Sequence, residues 1–214
     1  MINKYIDHTL LKADAVESEI KKLVDEAVKY NFYSVCVNGA FVKTVKNYNE
    51  NIKITAVIGF PLGAMTTESK VFEAKNCVIN GADEIDMVIN ISALKDRKYD
   101  YVENEINKIK NEIGDKILKV IIETSLLTDE EKVKACELAV KAKADFVKTS
   151  TGFSTAGATV YDVKLMKNAV KGKAKVKAAG GIHTFKEAKA MIDAGASRLG
   201  TSSSIDILNG ETNG

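Results

Sequence analysis

Apolar residues recur at helical spacing in three stretches: Val16, Ile20, Leu23, Ala27 and Val28; Val102, Ile106, Ile109 and Ile113; and Val133, Cys136 and Val140. Residues three and four apart share one face of a helix, so each stretch predicts a helix with one buried stripe. Start signals agree. "TDEE" at Thr128 to Glu131 and "TFKE" at Thr184 to Glu187 place Thr three residues before Glu, the spacing at which hydroxyl and carboxylate satisfy each other's free first-turn amides. Between such stretches lie short runs rich in β-branched residues, "FYSVCV", "ITAVIG", "EIDMVIN", "ILKVIIE", "DFVKTS" and "AKVKAAG", which predict strands.

Strand and helix alternate along the chain, which implies parallel strands joined by crossover helices. Adding "IDHTLL" at the start and "SRLGTS" near the end gives eight strands, the number that closes a (β/α)8 TIM barrel. A single domain over residues 1–214 is expected, because no Pro-, Gly- or Ser-rich stretch divides the chain. An open dinucleotide-binding sheet lacks its signature: no GxGxxG follows the first strand, and "GFPLGAMTTESK" lacks the spacing and ending of a phosphate-binding loop. "CVINGADEIDMVI", "AVKAKADFVKTS" and "MIDAGASRLGTS" repeat a helix end, a turn containing Ala and an entering strand. Four residues on from the turn alanine stand Asp86 (from Ala82) and Lys148 (from Ala144), so the two occupy the same height in different strands.

Composition narrows the partners. The formal net charge of +2 is spread over mixed-sign helical faces, and Arg97 and Arg198 are the only arginines, so neither a nucleic-acid footprint nor guanidinium recognition of phosphate is expected. Cys36, Cys77 and Cys136 form no CxxC pair, and "MINKYIDHTLLK" holds no signal-peptide apolar run, so a reduced cytoplasmic protein is expected. No apolar stretch approaches the roughly 18 residues of a membrane span.

The charges inside predicted strands carry the chemistry. Asp86, Lys148 and Lys177 stand where both strand faces should be covered, one by helices and one by the barrel interior. An ordinary buried ion pair would account for one carboxylate and one lysine. Two lysines and one carboxylate leave an excess charge, costly to desolvate unless one amine gives up its proton. A lysine beside a second ammonium in an apolar pocket is pushed toward the free amine, the form that attacks a carbonyl, so Schiff-base chemistry is expected.

"IDHTLL", "EIDMVINI", "FVKTSTGF", "VKAAGGI" and "GTSSSI", in this order, resemble the deoxyribose-phosphate aldolases, and the similarity spans nearly the whole chain. That resemblance implies a class I, metal-free and cofactor-free aldolase that reversibly cleaves 2-deoxy-D-ribose 5-phosphate into acetaldehyde and D-glyceraldehyde 3-phosphate. It implies Lys148 as the imine-forming nucleophile, Lys177 as the ammonium that keeps it deprotonated, and Asp86 as the carboxylate that moves protons. It further implies that Gly181, Ser202 and Ser203 hold the phosphate, that Asp7 and Thr9 lie near the substrate hydroxyls, that Thr151 lines the loop after Lys148, and that Cys36 lies near the aldehyde pocket. A homo-oligomer, dimer or tetramer, is also implied. Two departures stand out: Phe153 replaces a lysine that some members carry after "TSTG", and the chain ends "LNGETNG" where others end in a tyrosine.

Competing expectations remain at this level: a phosphosugar isomerase with Glu123 as base, another class I aldolase, or a non-catalytic phosphate binder in which the lysines only neutralise their ligand.

Overall fold

The computed structural model describes residues 1–212. Eight parallel strands, β1 (Ile6–Leu10), β2 (Ser34–Asn38), β3 (Ile54–Ile58), β4 (Glu84–Val88), β5 (Ile117–Ile121), β6 (Phe146–Lys148), β7 (Lys175–Ala179) and β8 (Arg198–Thr201), pair in sequence order, and β8 closes on β1. Around them run α1 (Glu17–Lys29), α2 (Val42–Tyr48), α3 (Thr67–Ile79), α4 (Ile91–Lys95), α5 (Tyr99–Ile113), α6 (Asp129–Lys141), α7 (Val160–Ala169), α8 (Phe185–Asp193) and α9 (Ser204–Thr212). The expected (β/α)8 barrel is the fold observed. No helix among the described residues is long and apolar enough to cross a membrane.

The apolar core lies between the outward side chains of the strands and the helices, where Ile6, Ile85, Val147 and Leu199 are fully buried against the inner helix faces. On α5 the buried stripe is the expected one. On α1 it is shifted, with Ile20, Leu23, Val24 and Ala27 buried while Val16 and Val28 face solvent. On α6 it runs through Ala135, Cys136, Leu138 and Ala139 rather than Val133. Both predicted capping boxes form; Thr128 accepts from the Glu131 amide at 3.3 Å while Glu131 accepts from the Thr128 amide at 2.9 Å.

Inside the barrel, strand register stacks side chains from alternate strands in layers of four. The lowest layer holds Ser34, Glu84, Phe146 and Arg198. Above it come Asp7, Thr55, Lys119 and Lys177, then Cys36, Asp86, Lys148 and Gly200. Barrel interiors are commonly filled with branched aliphatic residues, whereas these three layers carry seven carboxylate, amine and guanidinium groups, each at most 5% exposed.

Candidate active site

The seven groups form one connected network. A single oxygen of Asp86, Oδ2, accepts from Lys148 Nζ at 2.9 Å and from Lys177 Nζ at 2.8 Å. Its other oxygen, Oδ1, meets Lys119 Nζ at 2.7 Å, and Lys119 also reaches Glu84 at 2.6 Å. Lys177 donates to Asp7 at 2.5 Å, and Arg198 closes the base of the network through Asp7 at 2.9 Å and Glu84 at 3.1 Å. Ser34 Oγ adds a hydrogen bond to Asp7 at 2.8 Å. Gly200 occupies the position that Asp86 and Lys148 hold in their own strands, and a Cβ there would stand 3.1 Å from Lys177 Cε. The missing side chain leaves the path that Lys177 takes across the barrel.

Four cations meet three carboxylates in this network, so full ionisation would leave one positive charge in excess. The acids do not relieve it. Burial would raise Asp86 and Asp7, but the surrounding ammonium and guanidinium groups outweigh it, holding Asp86 well below the usual carboxylate range and Asp7 at about 2. Burial pulls down on Lys177, Lys119 and Arg198 too, yet their carboxylate partners prevail and all three are raised. Lys148 alone among the four is lowered. Burial is the largest cause, Asp86 opposes it, and the neighbouring Lys177 ammonium adds to the fall.

Lys148, the last residue of β6, is also the one member of the network that reaches the cavity at the C-terminal mouth, a space of about 220 Å³. Thr9, Thr151, Gly181 and Ser202 line it as well. Ser203 lies next to that wall, its hydroxyl 3.1 Å from His183 Nδ1 and its amide donating to Thr201 Oγ1 at 2.9 Å. Asp7 lies in the layer below Lys148, and Cys36, though level with Lys148, is not part of the lining; Asp7 is committed to Lys177, Arg198 and Ser34, and burial pushes the Cys36 thiol up. Lys177 stands mid-strand rather than at the strand end, one layer beneath Lys148. Gly180 and Gly181, at φ of 84° and 70°, turn the chain after β7 through a conformation that side chains rarely adopt, which lays backbone along the cavity wall.

Sequence reasoning missed four participants. Glu84 and Arg198 stand two residues after the turn alanines Ala82 and Ala196, so the count that located Asp86 would have reached them. Lys119 sits beside Asp86 in register, but β5 has no turn alanine to count from. Lys12 lines the cavity just beyond β1, and no motif or interrupted strand run in the sequence sets it apart from the chain's other lysines.

Two loop residues are explained by contacts. Phe153 meets Phe60 edge to face, centroids 5.3 Å apart at 86°, and forms an apolar side of the cavity mouth. Glu123 is buried in a left-handed backbone conformation, φ 54°, and accepts from both the amide (3.2 Å) and the hydroxyl (2.5 Å) of Thr151, which in turn accepts from the Phe153 amide at 3.0 Å. That carboxylate fastens the loop after Lys148 and is absent from the cavity lining, which removes the geometric basis for an isomerase base.

Comparison with known proteins gives a consistent result. The family model described as DeoC/LacD family aldolase matches residues 1–210. A deoxyribose-phosphate aldolase of Finegoldia magna is 62% identical over 98% of this chain and 99% of the relative, and one of Thermococcus kodakarensis is 58% identical over 98% and 96%. Among solved structures, an aldolase named QR15 superposes with a TM-score of 0.96 at 45% identity, covering 99% of this chain and 96% of the other. A deoxyribose phosphate aldolase of Aeropyrum pernix, described as a unique tetrameric structure, gives 0.91 at 32% identity over 99% and 91%.

Proposed function

The chain belongs to the DeoC/LacD family of aldolases, and from that premise we propose that it cleaves 2-deoxy-D-ribose 5-phosphate reversibly to acetaldehyde and D-glyceraldehyde 3-phosphate through an imine on Lys148. One observation carries the assignment of the lysine: of the four cations in the barrel, the one whose proton is most easily lost is the one that faces the cavity.

The free amine of Lys148 attacks C1 of the open-chain aldehyde, and loss of water from the carbinolamine leaves a protonated imine. A base takes the proton of the C3 hydroxyl, the C2–C3 bond breaks, and its electron pair moves into the enamine of C2 and C1, releasing glyceraldehyde 3-phosphate. Protonation at C2 and hydrolysis return acetaldehyde and the amine. Asp86, 2.9 Å from Lys148 Nζ, moves protons through a water during carbinolamine dehydration and at the enamine carbon, and Lys177, held protonated by Asp7 and Asp86, keeps positive charge beside the nucleophile. We assign phosphate to the Gly181 amide, Ser202 and Ser203, where backbone amides and hydroxyls gather near the start of α9, with Lys12 as a further cation on the same wall. Thr9 and Thr151 then meet the substrate's hydroxyls, with Asp7 supporting from below and Cys36 level with Lys148. Phe153, backed by Phe60, forms an apolar side of the mouth.

The three free, buried thiols suit a reducing compartment, and we place the protein in the cytoplasm as one (β/α)8 unit assembling into a homo-oligomer, a dimer or a tetramer. Sedimentation at micromolar concentration distinguishes these from a monomer.

Incubation with acetaldehyde, borohydride reduction and peptide mapping test the mechanism. A stable mass addition on Lys148, absent from Lys148→Met, is expected. Addition elsewhere, or none while the fold is intact, would refute the imine assignment.

A further inference from the structure

His8 lies between Asp7 and Thr9 on β1, so its side chain points away from the charged interior, toward the helices. It is 3% exposed and joins two of them. Nε2 stands 2.9 Å from Glu26 Oε2 on α1, and Nδ1 stands 2.8 Å from Oγ of Ser204, the first residue of α9. The imidazole also rests against Phe32, ring centroids 5.1 Å apart.

The chemistry of the partners orients this chain. A carboxylate only accepts, so Glu26 selects the ring form with hydrogen on Nε2. Burial, more than Glu26 can offset, lowers the imidazole's proton affinity, which leaves Nδ1 bare to accept from the Ser204 hydroxyl. The alternative acceptor for that hydroxyl, the Thr201 carbonyl at 3.2 Å, is farther away. Ser204 is fully buried and cannot touch a ligand. Its hydroxyl holds the helix start in place. The other end of the same turn is fixed by Thr201 Oγ1, which donates to the Ile182 carbonyl at 2.7 Å and accepts from the Ser203 amide at 2.9 Å.

We infer that His8, steadied by Glu26, is a positioning residue that sets where Ser202, Ser203 and the start of α9 stand relative to β1, the strand that delivers Thr9 to the cavity. Phosphate recognition is thereby registered against the rest of the substrate. The inference rests on the assignment of phosphate to Gly181, Ser202 and Ser203. His8 touches neither substrate nor the reacting atoms, so its effect falls on KM for the phosphorylated substrate more than on kcat.

The readout is the ratio of kcat/KM for 2-deoxyribose 5-phosphate to that for unphosphorylated 2-deoxyribose. His8→Phe, which keeps an aromatic ring but loses both hydrogen bonds, is expected to lower this ratio about tenfold, the scale of one buried hydrogen bond. Ser204→Ala, which removes one hydroxyl, should do the same and keeps the test open if His8→Phe folds poorly. The double variant should lose no more than either single one, as for two ends of one contact. His8→Asn places an amide oxygen near the Nδ1 position and should keep at least half the wild-type ratio. Equal losses on both substrates, an unchanged ratio in both single variants, or an His8→Asn as impaired as His8→Phe would overturn the inference. Ser203→Ala separates the premise from it: if wild type shows no phosphate preference, or Ser203→Ala retains it, the phosphate assignment falls and takes the inference with it. If Ser203→Ala loses that preference while His8→Phe and Ser204→Ala keep it, the inference alone falls.

Discussion

Asp86 Oδ2 is shared by Lys148 and Lys177 at nearly equal distances, so which of the two amines loses its proton more readily is decided by their surroundings rather than by distance. Lys177 has a second carboxylate, Asp7, whereas Lys148 has Asp86 alone and opens onto the cavity. Replacing Lys177 with Leu removes an ammonium that lowers Lys148, so the pH at which borohydride-trapped adduct first forms on Lys148 should move upward. Charge counting gives Lys119→Met the same sign, because three cations then balance three carboxylates and Lys148 can keep its proton. An unchanged onset in both variants would remove the excess-charge account. Asp86, Lys148 and Lys177 were legible because each interrupts an apolar strand run, and Asp86 and Lys148 share a count from a turn alanine. The count of the charges was only partly so: two residues on from a turn alanine reaches Glu84 and Arg198, but Lys119 has no such alanine to count from and only register places it beside Asp86.

Helix α3 shows why its own packing escaped the sequence. Its buried face carries Thr67, Lys70, Ala74 and Cys77, while Phe72 and Ile79 stand 70% and 73% exposed, so hydrophobic periodicity points the wrong way. Lys70 is fully buried and ties three pieces together: it meets Glu105 of α5 at 2.9 Å and the Val88 carbonyl at the end of β4 at 2.8 Å, while Glu105 accepts from the Asn90 amide at 3.1 Å. The strand end so held is two residues beyond Asp86. Burial pushes Lys70 down and Glu105 up, so each is tolerated inside only because of the other. Lys70→Met leaves Glu105 buried without its cation and should cost about 3–5 kcal/mol, read as a fall of about 10 °C in Tm. A loss below about 1 kcal/mol, the worth of an exposed pair, would mean that the pair is not buried in solution. The alternating order of helices and strands, by contrast, was readable throughout, because short β-branched runs and capping boxes are local signals that survive whichever face a helix buries.

At the scale of the molecule, filling a barrel with an ionic network links its stability to pH. Asp7 is lowered from an ordinary 3.8 to about 2, so its contribution is fully present above about pH 4 and disappears as pH falls through about 2, amounting to about 2 kcal/mol. Asp86, lowered further, acts in the same direction. Asp7→Asn should therefore be less stable at neutral pH, and its urea midpoint should vary less between pH 4 and 2 than that of the parent. Parallel acid profiles for the two would exclude Asp7 from this linkage. Gly200 has a consequence for anyone engineering the protein. Its backbone is free of the left-handed conformation that usually protects a glycine, so a thermostabilisation campaign replacing glycine with alanine would select it on backbone grounds. The added methyl would press on Lys177 at 3.1 Å and shift an amine that Asp86 and Asp7 now hold in place. Gly200→Ala is therefore expected to lower kcat even where it raises Tm, and an unchanged kcat would mean that Lys177 tolerates the added methyl.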